Sequence, residues 1–143
     1  MLIAHVLRDK GGVVYTLSAD ASLLEAAEAL HEKRVGALVV TDGGDTPIGV
    51  FSERDIVREV AEHGAAGLVR KVGACMSRHI VTAEPEESVD DGLARMTDRR
   101  IRHLPVIAGG QLVGIVSIGD LVKMRISEVE AEVTAMQAYI ATG

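Results

Sequence analysis

Gly49-Val50-Phe51-Ser52-Glu53-Arg54-Asp55-Ile56 returns 65 positions later as Gly114-Ile115-Val116-Ser117-Ile118-Gly119-Asp120-Leu121. In both copies an apolar run leads into Ser-x-x-Asp, the pattern of a strand that hands over to a capped helix. Upstream, Thr16, Ser22, Leu23, Ala26, Leu30, Arg34 and Val35 are matched 66 positions later by Thr82, Ser88, Val89, Gly92, Met96, Arg100 and Ile101. The chain is internally duplicated. The one-residue change of offset falls in the Thr41 to Pro47 loop of the first copy, where a turn absorbs it.

Each copy reads as strand, helix, strand, strand, helix. Val13 to Leu17 and Ile80 to Thr82 are expected as short strands. Behind them, Ser22-x-x-Glu25 and Ser88-x-x-Asp91 are capping boxes, whose side chains satisfy the unpaired N–H groups of a helix's first turn. Leu23, Ala26, Ala27 and Leu30 fall at i, i+3, i+4 and i+7, as do Val89, Gly92, Leu93 and Met96, so each helix carries one apolar stripe. Ala37 to Val40 then pairs with Ile48 to Phe51, and Leu104 to Ile107 with Leu112 to Val116, around Asp42-Gly43-Gly44 and Gly109-Gly110, where glycine permits a hairpin's positive φ. The expected fold is mixed α/β (α+β): two tandem β-α-β-β-α repeats, residues 1–66 and 67–125, and a helical extension over 126–143. From Leu121 to Thr142 no Gly or Pro intervenes, and Val122, Ile126, Val129, Val133, Met136 and Ile140 recur at spacings of 4, 3, 4, 3 and 4, with Glu128, Glu130 and Glu132 outside this seam. Two readings stay open: the helix pairs with its copy in a homodimer, or it folds back on its own domain.

Composition removes several function classes. With 15 basic against 21 acidic residues the formal net charge is −6, which repels nucleic-acid backbones and anionic lipid. Tyr15, Phe51 and Tyr139 are the only aromatic residues, too few for a single-strand stacking platform. Cys75 is the sole cysteine, so no internal disulfide forms and a reducing, cytoplasmic location is expected. Met1 to Leu7 is broken by His5 and followed by Arg8, Asp9 and Lys10, too short and polar for a signal peptide, and no apolar run approaches a membrane span. His5, His31, His63, His79 and His103 show no metal spacing, and no phosphate loop or Gly-x-Ser-x-Gly motif occurs, so no metal, catalytic cofactor or enzymatic activity is expected.

The doubled Gly-x-x-Ser-x-x-Asp, together with Ile101-Arg102-His103-Leu104-Pro105-Val106, resembles the tandem cystathionine β-synthase (CBS) domain pair, or Bateman module, over residues 1 to about 125. The resemblance implies two repeats about a pseudo-twofold axis, with two clefts that hold adenosine-containing ligands such as AMP, ATP, NAD or S-adenosylmethionine. It also implies dimers of such pairs, and a regulatory subunit that signals to an effector protein by conformational change, with an adenine nucleotide as its regulatory ligand.

Asp55 and Asp120 are the leading binding candidates, because an ionised carboxylate accepts hydrogen bonds from both ribose hydroxyls. Ser52 and Ser117 stand one helical turn earlier, within reach of ribose or phosphate. Ser-x-x-Asp is equally a capping box that needs no ligand, and the two roles can coexist. The resemblance places phosphate-holding bases at Arg102 and His103, before Leu104 and Pro105; the first copy has Gly36 and Ala37 there, with Arg54 as a substitute cation, so the two clefts are expected to differ. Tyr15 and Thr16 in the first copy, and Ile80, Val81 and Thr82 in the second, are the candidate adenine contacts, Tyr15 as a stacking ring and Phe51 as core. Two rival readings remain: a structural homodimerisation module with no ligand, and a nucleic-acid regulator using the basic edge Arg95, Arg99, Arg100 and Arg102.

Overall fold

In a computed structural model that describes residues 1–44 and 46–142, the chain packs as two compact units. Asp45, in the loop that absorbs the first copy's extra residue, lies outside the described residues. One unit holds Val13–Val81 with Gly109–Leu112; the other holds Met1–Gly12, Thr82–Ala108 and the chain from Val113 onward.

In the first-repeat unit, β1 (Thr16–Ser18) runs parallel to β2 (Ala37–Thr41), which is antiparallel to β3 (Pro47–Ser52), in the order β1-β2-β3. The central strand β2 is apolar up to Thr41 and buried along its whole length, as a strand covered on both faces must be. Against it pack Leu23, Ala26 and Leu30 of α2 (Leu23–Lys33), with Phe51 at the centre of the same core. The Ser22 hydroxyl caps α2 by accepting from Glu25 N, as the spacing predicts. After α3 (Glu53–His63) a 3₁₀ turn over Gly64–Val69 leads to α4 (Val72–Cys75), and Val72, Cys75 and Met76 complete the core.

The second-repeat unit contains α1 (Ile3–Lys10), α5 (Val89–Arg99), β4 (His103–Ala108), its hairpin partner β5 (Gln111–Ser117) from Val113 onward, and α6 (Ile118–Thr142). Ser88 caps α5 through Asp91 N. The three helices converge on Gly92, where an added Cβ would lie 2.9 Å from Leu121 Cδ1 of α6 and 3.3 Å from Ile3 Cδ1 of α1. That close approach requires glycine where the first repeat has Ala26.

Two sequence expectations are corrected. Ile80 to Thr82 forms no strand, and the second repeat keeps only a single parallel bridge, Ala83 to Val106. Ala83 N donates to Pro105 O at 3.0 Å and its carbonyl accepts from Ile107 N at 2.9 Å. The next rung of a parallel ladder needs an N–H from residue 105, and proline has none; the first repeat has Val39 there and forms β1. The other correction is at β1, which spans Thr16–Ser18 and not Val13 to Leu17; α6 opens at Ile118 behind the Ser117 cap, as the motif predicts.

The packing also cuts across chain order. Val89 N donates to Met1 O at 3.0 Å as Leu23 N does to Arg70 O at 2.9 Å, Ile3 N donates to Glu87 O at 2.9 Å as Val72 N does to Ala21 O at 2.8 Å, and Ala4 and Gly73 repeat the correspondence. Residues 1–7 thus complete the second repeat's core as residues 70–76 complete the first's, at an offset of 69 that conceals the kinship from a search at 65 or 66. Each repeat is finished by the segment that precedes the other in sequence.

Candidate functional site

Ser52 ends β3 and Ser117 ends β5, and each opens a helix. Asp55 Oδ2 accepts from Ser52 N at 2.8 Å; Asp120 Oδ2 accepts from Ser117 N at 2.9 Å, while Asp120 N donates to Ser117 Oγ at 3.1 Å. Both motifs are therefore reciprocal caps. Beside each cap the chain entering the preceding hairpin supplies a further acceptor: Glu53 N donates to Gly36 O at 3.1 Å and Ile118 N to Arg102 O at 2.8 Å. These bonds bring Gly36 and Ala37 beside Ser52 and Asp55, and Arg102 and His103 beside Ser117 and Asp120.

Each carboxylate also has a cation, and here the copies diverge. Arg58 Nη2 donates to Asp55 Oδ1 at 2.9 Å and to Cys75 O at 3.0 Å, so both oxygens of Asp55 are engaged and the residue is only 8% exposed. Asp120 meets Lys10, whose ammonium donates to Oδ2 at 2.7 Å and to Ile115 O at 3.0 Å. The bonds that the Asp120 carboxylate accepts from Lys10 Nζ and Ser117 N both fall on Oδ2, and the side chain keeps 27% of its surface exposed. Burial pushes the Asp120 carboxyl up, but the Lys10 ammonium and the Ser117 N–H outweigh it and hold the group below its ordinary value, ionised at neutral pH. Asp120 is the more available acceptor of the two.

The remaining candidates fall in varied settings. Arg102 and Arg54 are exposed, with no ion pair to either among the described residues; His103 is half-buried. Leu104 and Pro105 are buried, so any contact from them is through backbone. Thr82 is exposed, but its carbonyl accepts from Arg95 Nη1 at 2.8 Å; Ile80 and Val81 are half-buried and belong to the first-repeat unit. Tyr15 packs on the first-repeat core with the Lys33 ammonium 5.1 Å above its ring, which takes one face away from stacking. Thr16 borders a hollow of about 340 Å³ with Val14, Thr41, Gly44, Gln111 and Leu112, whereas Gly36 borders a different one of about 520 Å³ with His31, Arg34, Val35 and Glu53.

Sequence reasoning missed Lys10 and Arg58. Arg58 was within reach, three residues after Asp55 on one helix, a spacing that places the two side chains together. Lys10 left no local signal, because 110 residues separate it from Asp120. The basic edge is partly structural: Arg95 holds both carboxylate oxygens of Glu87, and that bond keeps the Glu87 carboxyl below its ordinary value. Among the described residues the group best placed for a cation is Glu59, Glu62 and His63, but the Arg70 guanidinium already occupies the buried Glu59 carboxylate.

The model of the CBS domain family matches residues 12–62 and 69–127. The mitochondrial CBS domain-containing protein CBSX3 of Arabidopsis thaliana is 34% identical over 99% of this chain, which spans 72% of that protein. The crystal structure of the CBS-domain containing protein ATU1752 from Agrobacterium tumefaciens superposes with a TM-score of 0.85 at 42% identity, covering 87% of this chain and 99% of that one. The CBS domain pair of protein MJ0100, in complex with 5'-methylthioadenosine and S-adenosyl-L-methionine, superposes with a TM-score of 0.80 at 23% identity, over 90% of this chain and 98% of that one.

Proposed function

The chain belongs to the CBS domain family, and on that premise we propose that it is a non-enzymatic regulatory module whose ligand is an adenine nucleotide such as AMP, ATP or NAD. The observation that carries the reading is the state of Asp120: an ionised carboxylate with its cap and lysine bonds on Oδ2, partly exposed beside Arg102. Ribose hydroxyls donate to such an acceptor, and an exposed guanidinium meets phosphate with charge-assisted bonds. The adenosine-containing ligands of the MJ0100 domain pair support the ligand class. Ligand occupancy is relayed to an effector protein through a conformational change, and the module acts as a homodimer in a reducing, cytoplasmic setting that suits a buried free Cys75. Among the described residues no helix is long and apolar enough to cross a membrane.

The first-repeat site favours a second reading, a dimerisation module without ligand, because both oxygens of Asp55 are already engaged inside the protein. Calorimetric titration separates the two. AMP, ATP, NAD or S-adenosylmethionine should bind the wild type, and Asp120→Ala should lower the affinity at least about tenfold through the loss of charge-assisted bonds of about 1.5–3 kcal/mol each, with Asp55→Ala having the smaller effect. Binding by none of the four leaves the ligand-free reading, whereas equal affinity in Asp120→Ala overturns the role of that carboxylate.

A further inference from the structure

α6 is continuous over 25 residues, about 37 Å at the α-helical rise. It buries Leu121 and Met124 in its own unit, and every described residue from Ala131 on is exposed. The apolar seam Val122, Ile126, Val129, Val133, Met136 and Ile140 is a separate face, roughly a third of a turn away from Leu121 and Met124, and its members are 41% to 73% exposed. The fold-back reading of the seam therefore fails: what α6 gives to its own core is a different set of side chains. Six exposed apolar residues in one stripe are costly to leave in water, and their regular spacing fits another helix.

We infer that this face is an interface with a second copy of the chain, in which two α6 helices run parallel and in register as a two-stranded coil. The inference deepens the dimer of the proposed function and is independent of its ligand. On a heptad, Ile126, Val133 and Ile140 take the a positions and Val122, Val129 and Met136 the d positions, so the seam is apolar at every level. The flanking charges select the direction. In a parallel pair Arg125, at g, faces Glu130, at e, of the other copy, twice by symmetry, and Glu132 faces Gln137. In the antiparallel pairing that overlaps the whole seam, Glu130 faces Glu130 and Glu132 faces Glu132, with like charges at its centre. Arg125 is held at the edge of the seam by Asp90, 3.3 Å from its Nε, and Glu128, 3.0 Å from its Nη1.

The test uses the full chain and variants at exposed positions, each checked for an unchanged circular dichroism spectrum. Sedimentation equilibrium should show a monomer–dimer equilibrium that Glu130→Arg weakens by roughly tenfold, from two lost attractions and two new repulsions, and that Arg125→Glu with Glu130→Arg restores. Under copper–phenanthroline oxidation Val129→Cys should link into dimers far faster than Ser127→Cys on the outer face, with the wild type, whose Cys75 is buried, as background. A monomer at every concentration, no response to Glu130→Arg, no restoration in the double variant, or equal linking rates at 127 and 129 each overturns the inference. None of these readouts involves nucleotide, so failure here is distinct from failure of the ligand titration.

Discussion

At the scale of single residues, the glycine that heads each Gly-x-x-Ser-x-x-Asp motif has a structural task separate from the acid at its end. A Cβ on Gly49 would lie 2.5 Å from Met76 Sδ and 2.8 Å from the Ser77 carbonyl oxygen; on Gly114 it would lie 2.4 Å from Leu7 Cδ2, with only the Leu7 side chain in the way. Met76 and Leu7 are equivalent members of the two exchanged segments, so both glycines make room for the crossing chain. The obstacles differ in kind. Backbone paired by the Val50 to Ser77 bridge cannot yield, whereas a leucine tip can turn aside. Gly49→Ala should therefore cost about 2 kcal/mol or more of stability and Gly114→Ala less than about 1 kcal/mol, as read from urea denaturation midpoints. Equal losses would mean that Leu7 is as immobile as backbone.

At the scale of elements, α2 and α5 end alike on an arginine in the left-handed region, Arg34 at φ 56° and Arg100 at φ 55°. Val35 N reaches back to Leu30 O at 3.1 Å and Ile101 N to Met96 O at 3.0 Å, the closing bond of a Schellman turn. Glycine fills such a position without strain, while a Cβ costs about 1 kcal/mol or more. Arg34→Gly and Arg100→Gly should each raise stability by about 0.5–1 kcal/mol, net of the added freedom of the unfolded chain, measured by the same denaturation; a loss in both would show that the arginine side chains hold the turns. The turns aim the chain into β2 and β4, and so place Gly36 and Arg102 against the caps of α3 and α6. Nothing in the arginines themselves announces this, since arginine normally extends a helix.

At the scale of the whole molecule, the exchange of segments makes each repeat depend on residues remote in sequence. Ile3 is fully buried in the second-repeat unit, beside Gly92 of α5, although it precedes the first repeat. Ile3→Ala should cost about 2–5 kcal/mol, and native-state hydrogen exchange should speed up more in α5 and the first turns of α6 than in α2 and α3. A larger effect in α2 and α3, its nearer neighbours along the chain, would contradict the exchange. The same arrangement delivers Lys10 to Asp120, so the second site differs from the first through a residue that neither repeat contains in its own motif.

The sequence by itself determined the duplication, the strand–helix–strand–strand–helix order, the caps at Ser22, Ser52, Ser88 and Ser117, and the family, because each is written in spacings of a few residues that recur at a fixed offset. It also marked the α6 seam, since helical periodicity is local. Only the tertiary structure decided that Pro105 stops the second β1-like strand, that residues 1–7 and 70–76 change places, that the seam lies apart from the face α6 buries, and that Asp55 is closed by Arg58 while Asp120 keeps one oxygen clear of its cap and its lysine. Those outcomes depend on contacts between residues tens of positions apart, and packing and hydrogen-bond geometry settle such contacts only once the chain has folded.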